Sequence, residues 1–89
     1  MSKTRAELIY SIQQFLLIRG VMVDDTIIEN HNFIREGSLD SFEILTLIMQ
    51  LESELCIPIP IELLLEQGNA EIGKLVDSLV KLVNDRDKS

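Results

Sequence analysis

The chain has 89 residues, enough for one domain with a small single core and too few to enclose a substrate pocket of enzyme size. Fifteen acidic against eight basic side chains give a net charge of −7, which opposes nucleic acid and anionic membrane and suits basic partners. The single cysteine, Cys56, permits no internal disulfide, and the opening Met-Ser-Lys-Thr-Arg and interrupted apolar runs give neither a signal peptide nor a membrane span, so the expected location is the cytoplasm.

Thr4-Arg5-Ala6-Glu7 has the pattern of a capping box, and Arg19-Gly20 that of a stop, which predicts a first helix over residues 5 to 19. Leu8, Ile12, Phe15 and Leu16 form its buried stripe by their spacing of three and four. Leu17 and Ile18 widen the apolar arc and predict neighbours on two sides. From Gly20 to Leu39 no periodicity is sustained, but Ile27, Ile28, Phe33, Ile34 and Leu39 are apolar and predict a long loop pinned across the domain. His31 lies in this loop with no cysteine or second histidine to complete a zinc site and no recognisable triad spacing to a nucleophile; it reads as a solvated or hydrogen-bonding side chain.

Asp40 followed three residues later by Glu43 is the Asp form of a capping box, and it starts a second helix running from Ser41 to Leu55. Ser41 is then the first helical residue, its hydroxyl at a helix mouth where free N–H groups and the helix dipole favour an anion such as a phosphodiester. Ile44, Leu47, Ile48, Leu51 and Leu55 share the core face; Phe42, Leu45 and Met49 fall beside or opposite it, as a broad core stripe or as an exposed apolar strip next to the serine. Cys56 follows as a small, half-buried residue, and Pro58 prevents continuation. Ile57-Pro58-Ile59-Pro60-Ile61 is an extended link into a short third helix, Ile61 to Gln67, stopped by Gly68. Asn69 is the expected cap of a fourth helix over residues 70 to 84, with Gly73 weakening its first turn and a charged tail, 84 to 89, that frays. Between Gly20 and Gly73 the only basic residue is Arg35, so a basic partner would be steered to the middle of the chain.

The stretch Gly37-Ser38-Leu39-Asp40-Ser41-Phe42 and the helix after it resemble the Asp-Ser-Leu region of the phosphopantetheine-dependent carrier proteins, the family of acyl carrier and peptidyl or aminoacyl carrier proteins. Phe42 stands where that family most often has leucine. The resemblance implies an all-α, acyl-carrier-like bundle of three long helices plus one short helix, with a long loop after helix one. It implies that Ser41 carries 4′-phosphopantetheine covalently, and that Asp40 contributes to recognition by the phosphopantetheinyl transferase, through Mg²⁺ in that complex. Phe42, Glu43, Leu45 and Met49 would then form the face that meets partner enzymes. Those partners would be the transferase, an acyl- or aminoacyl-activating ligase or adenylation enzyme, and downstream transferases.

Helix two lacks the dense acidic face usual in fatty-acid carriers, having Thr46 and Gln50 where acids are common, which favours an aminoacyl, peptidyl or other specialised pathway. Ile61, Leu63, Leu64 and Leu65 are more apolar positions than one short helix can bury, so one or two of them are expected near the serine end or the pantetheine arm. Ser38 lacks a preceding aspartate and is the poorer attachment site. On this reading the chain is a single monomeric carrier domain, not an enzyme. The competing reading is a non-catalytic helical adaptor without a cofactor, in which Asp40-Ser41 is an ordinary helix start.

Overall fold

The computed structural model describes residues 4–65 and 68–87, except the side chains of Leu65 and Asp87. Within them the chain is all-α: α1 (Arg5–Ile18), α2 (Ser41–Leu55), the short α3 (Glu62–Leu65) and α4 (Ile72–Asp87), with one turn of 3-10 helix at Ile28–Asn30. No strand occurs among the described residues; the one β-type contact is an isolated antiparallel bridge between Asn32 and Glu71.

α1 begins where the sequence directs it. The Thr4 side chain accepts the Glu7 N–H at 3.1 Å, and the Glu7 carboxylate accepts the Thr4 N–H at 3.0 Å. Leu8, Ile12, Phe15 and Leu16 are buried, whereas Leu17 and Ile18 are exposed, so the neighbour expected on the second side of α1 is absent among the described residues. The helix ends at Arg19 because Gly20 turns left-handed at φ +83°. Arg19 then serves the next helix. Its guanidinium lies 3.5 Å above the Phe15 ring and its Nε is 3.3 Å from Glu43 Oε2. Ser11 donates to Glu54 at 2.7 Å, so α1 and α2 run antiparallel.

The long loop is internally packed. Val23, Ile28, Phe33 and Leu39 enter the core that α1, α2 and α4 share. Ile27 and Ile34, expected to join them, are exposed. Ile27 immediately precedes the 3-10 turn that turns Ile28 inward, and adjacent residues of such a turn cannot both face the core. Ile34 is carried outward by a turn that the Asn32 side chain caps, accepting the Ile34 and Arg35 N–H groups at 3.1 and 2.8 Å. Around the bridge, Phe33 N–H donates to the Ala70 carbonyl at 3.2 Å and Ile72 N–H to the His31 carbonyl at 3.0 Å. The loop is thereby stitched to the start of α4.

The second half departs further from expectation. α2 ends on Cys56 itself, in the left-handed region at φ 58° and ψ 33°, with its N–H donating to the Glu52 carbonyl at 2.8 Å. Cys56 is exposed rather than half-buried, since the left-handed cap takes it off the helix's core stripe. α3 starts at Glu62, one residue later than expected, and the expected end at Glu66 and Gln67 lies outside the described residues. Leu64 is buried in the core, Leu63 is half-buried and Ile61 is 38% exposed, so Leu64 belongs to the core rather than to an arm site.

Asn69 does not cap α4. It is buried, its amide donating to the Leu63 carbonyl at 2.6 Å and its oxygen accepting the Ser78 hydroxyl at 3.2 Å, so it ties α3 to the middle of α4. The helix starts two residues later than expected, at Ile72, and runs three residues further, to Asp87, through residues expected to fray. Lys88 and Ser89 lie outside the described residues.

Gly73 is explained by contact. A Cβ there would stand 3.0 Å from both the Glu29 carbonyl oxygen and the Glu29 Cβ, so the glycine lets the 3-10 turn approach the first turn of α4. Gly73→Ala is expected to lower stability in urea titration, against the gain of about 1 kcal/mol that helix propensity alone would give. Leu64→Ala is expected to destabilise the fold by about 2–4 kcal/mol in the same assay, as a cavity-forming core truncation does.

Candidate functional site

The N-terminus of α2 is built by its own first turn. Asp40 stands outside the helix with extended backbone, its carboxylate accepting the Glu43 N–H at 2.8 Å. The Glu43 carboxylate accepts the Asp40 N–H at 3.0 Å, and the first helical bond runs from Ile44 N–H to the Asp40 carbonyl at 3.0 Å. The N–H groups of Ser41 and Phe42 are left without an acceptor among the described residues, as the first helical positions require. Ser41 itself is exposed, and its hydroxyl has no hydrogen-bond partner among the described residues. A modifying group at that oxygen meets no competing bond from the described residues.

Next to the serine, Phe42 is 81% exposed, Leu45 46% and Met49 67%, a strip at spacings of three and four along one face of α2. Glu43 is drawn away from that strip, since one oxygen caps Asp40 and the other faces Arg19. The predicted residues therefore fall into two sets. Asp40, Ser41, Phe42, Leu45 and Met49 share an exposed surface; Glu43 is half-buried and held in the junction between α1 and α2.

Sequence reasoning missed one contact beside this site. His31 Nε2 lies 2.6 Å from the Ser38 hydroxyl, so the lone loop histidine has a defined partner, and it is Ser38 rather than Ser41. A separation of seven residues across a loop carries no periodic signal. The only hint lies in the turn formers Asn32 and Gly37 between the pair, which fold the chain back on itself; Gly37 takes φ +68°.

A second polar centre lies at the N-terminus of α1. Arg5 pairs with Glu29 of the 3-10 turn and with Asp77 of α4, the latter at 2.7 Å. Hydrogen bonds to Glu29 and then Asp77 raise the guanidinium above its ordinary range, and the Arg5 hydrogen bond holds the Glu29 carboxyl below the usual carboxylate range. Asp24 is likewise lowered, by the Thr26 N–H and then its hydroxyl. These are exposed pairs that fasten the loop. No group of three His, Cys, Asp or Glu side chains among the described residues is placed to hold a metal ion, and no described helix is long and apolar enough to cross a membrane.

Open grooves of about 510 Å³, between α1 and the loop beside Tyr10 and Ile28, and of about 250 Å³, between Leu63 and Leu82, are lined by none of the α2 site residues. What the fold and site define is a small all-α domain that presents an unpartnered serine at the mouth of a capped helix. No family model matches the sequence, and no curated protein or solved structure matches it.

The capping contribution of Asp40 can be measured by itself. Asp40→Ala is expected to cost about 1 kcal/mol of unfolding free energy through loss of the cap, while Asp40→Asn, which keeps the accepting oxygen, stays within a few tenths of wild type in thermal or urea unfolding.

Proposed function

We propose that this chain is a stand-alone carrier domain with an acyl-carrier-like bundle, in which Ser41 bears 4′-phosphopantetheine and the arm's thiol holds an acyl or aminoacyl group as a thioester. The observation that carries the reading is the state of Ser41: an exposed hydroxyl on the first residue of a helix, where neither that hydroxyl nor the first two N–H groups find a partner among the described residues. A phosphodiester on that oxygen would sit beside those N–H groups and the positive end of the helix dipole. The Asp-Ser motif at this position supports the same reading.

The chain's own residues catalyse no step in this scheme: the Ser41 oxygen takes the phosphopantetheine group from coenzyme A, its P–O bond forming as the pyrophosphate bond breaks, with adenosine 3′,5′-bisphosphate as leaving group and the hydroxyl proton passing to the transferase. Ser41 supplies a hydroxyl to a separate phosphopantetheinyl transferase, and Asp40 lies one residue away for contacts in that complex. A tethered thioester keeps the cargo at high effective concentration near each docked enzyme, which a small domain without a deep pocket at the serine requires. Phe42, Leu45 and Met49 offer partner enzymes an apolar contact beside the attachment point, with Met49 adaptable in shape. The acidic middle of the chain steers basic partners toward it. Thr46 and Gln50, in place of acids on α2, favour a specialised aminoacyl, peptidyl or other biosynthetic pathway over housekeeping fatty-acid synthesis.

Intact-mass spectrometry after incubation with coenzyme A, Mg²⁺ and a broad-specificity phosphopantetheinyl transferase tests the reading. The expected result is a gain of one phosphopantetheine mass that is absent in Ser41→Ala. Folded protein that gains no mass with several transferases would replace the carrier by a helical adaptor that docks through the Phe42 strip.

A further inference from the structure

The segment that delivers Asp40 and Ser41 to the end of α2 is fixed at few points. Phe33 and Leu39 are buried, but the chain between them bulges outward, with Ile34, Arg35, Glu36 and Gly37 all exposed. Ser38 closes the bulge. Its N–H donates to the Phe33 carbonyl at 3.0 Å and its hydroxyl meets His31 Nε2 at 2.6 Å. His31 is in turn anchored through both of its backbone polar groups: its carbonyl accepts the Ile72 N–H at 3.0 Å, its N–H donates to the Ile28 carbonyl at 3.2 Å, and the Asn32–Glu71 bridge follows immediately. The imidazole therefore connects the first turn of α4 to a point two residues ahead of Asp40, whichever of the two groups supplies the proton.

We propose that His31 is a positioning residue for the modification of Ser41, acting through the Ser38 hydroxyl; the proposal rests on the carrier reading. The Asp40–Glu43 box orders the helix mouth internally, but it does not set where that mouth stands relative to the rest of the domain. The Arg19–Glu43 pair on the α1 side and the burial of Leu39 supply two such restraints, and the His31–Ser38 bond supplies the one that leads back to α4. A transferase that engages several parts of the domain at once needs Ser41 at a fixed place on that surface, and a serine displaced by a fraction of an ångström to an ångström reacts more slowly in an otherwise folded protein.

The test uses the full chain in its apo form, with His31→Phe, Ser38→Ala and His31→Gln. Transferase kinetics with coenzyme A and Mg²⁺ are read beside amide hydrogen exchange. Expected is a fall of about tenfold in kcat/KM for His31→Phe and Ser38→Ala, with faster exchange at the hydrogen-bonded amides of Ser38, Glu43 and Ile44, unchanged exchange in the middle of α4, and substantial recovery in His31→Gln, whose amide can still bond Ser38. Ser38→Ala removes one hydroxyl only and decides the matter if His31→Phe fails to fold. Wild-type kcat/KM in folded Ser38→Ala, or unchanged exchange at Ser38, Glu43 and Ile44, would overturn the proposal while leaving the carrier reading intact. A wild-type protein that gains no mass would overturn both, and the exchange data would then report the His31–Ser38 bond as a purely structural tie.

Discussion

Two backbone hydrogen bonds, from Phe33 to Ala70 and from Ile72 to His31, govern the placement of everything that follows α1. They convert the connection over residues 19–40, which would otherwise be costly to order, into a strap with a fixed midpoint. Phe33 is fully buried beside the strap's midpoint, and Glu29, just before it, lies so close to Gly73 that a methyl group there would stand only 3.0 Å from it. Arg5 adds ion pairs to the strap and to α4 together. Because these pairs are exposed, their worth is small, and the apolar anchors carry the strap's stability.

The same arrangement explains why the helix mouth is open. A capping box satisfies the N–H group of Glu43 and closes the first turn, yet it leaves Ser41 and Phe42 without acceptors. Glu43 might have crowded the serine with charge; instead Arg19, itself stacked on Phe15, pulls its second oxygen toward α1. The result is a local separation of roles along one helical turn. Residue 40 caps, residue 43 links two helices, and residue 41 is free.

The sequence made most of this legible where local chemistry alone decides. Both capping boxes, the limits of α2 and the buried stripes of α1 and α2 follow from side-chain spacing and hydrogen-bonding inventory, which do not depend on distant parts of the chain. What escaped was tertiary. Asn69 has the composition of a cap, but a carbonyl of Leu63 and the hydroxyl of Ser78 claim both ends of its amide. Cys56 reads as a small, half-buried residue and is exposed, because its left-handed backbone cannot be read from its type. Ile27 and Ile34 match Ile28 and Phe33 in composition, and only the turn geometry separates exposed from buried. The His31–Ser38 contact depends on that same geometry.

α2 is also set apart by how it is held. The close backbone approaches run between α1, α4 and the 3-10 turn, whereas α2 is joined to the core through the long side chains of Leu47, Ile48, Leu51 and Leu55. Leucine spacers fix a helix firmly in depth, since each lost methyl group leaves a cavity, but they restrain its end less than a backbone contact would. The end of α2 that bears Ser41 lies a full turn before the first of those buried leucines. Its position comes from the Arg19–Glu43 pair, from Ile44 packed partly buried against the core, and from the residues ahead of it: Leu39 by burial, the Ser38 backbone by its bond to Phe33, and the Ser38 hydroxyl by its bond to His31. An exposed serine is thus presented by a short chain of contacts leading back to α4, while the adjoining strip of Phe42, Leu45 and Met49 stays uncommitted to the core and available to another surface.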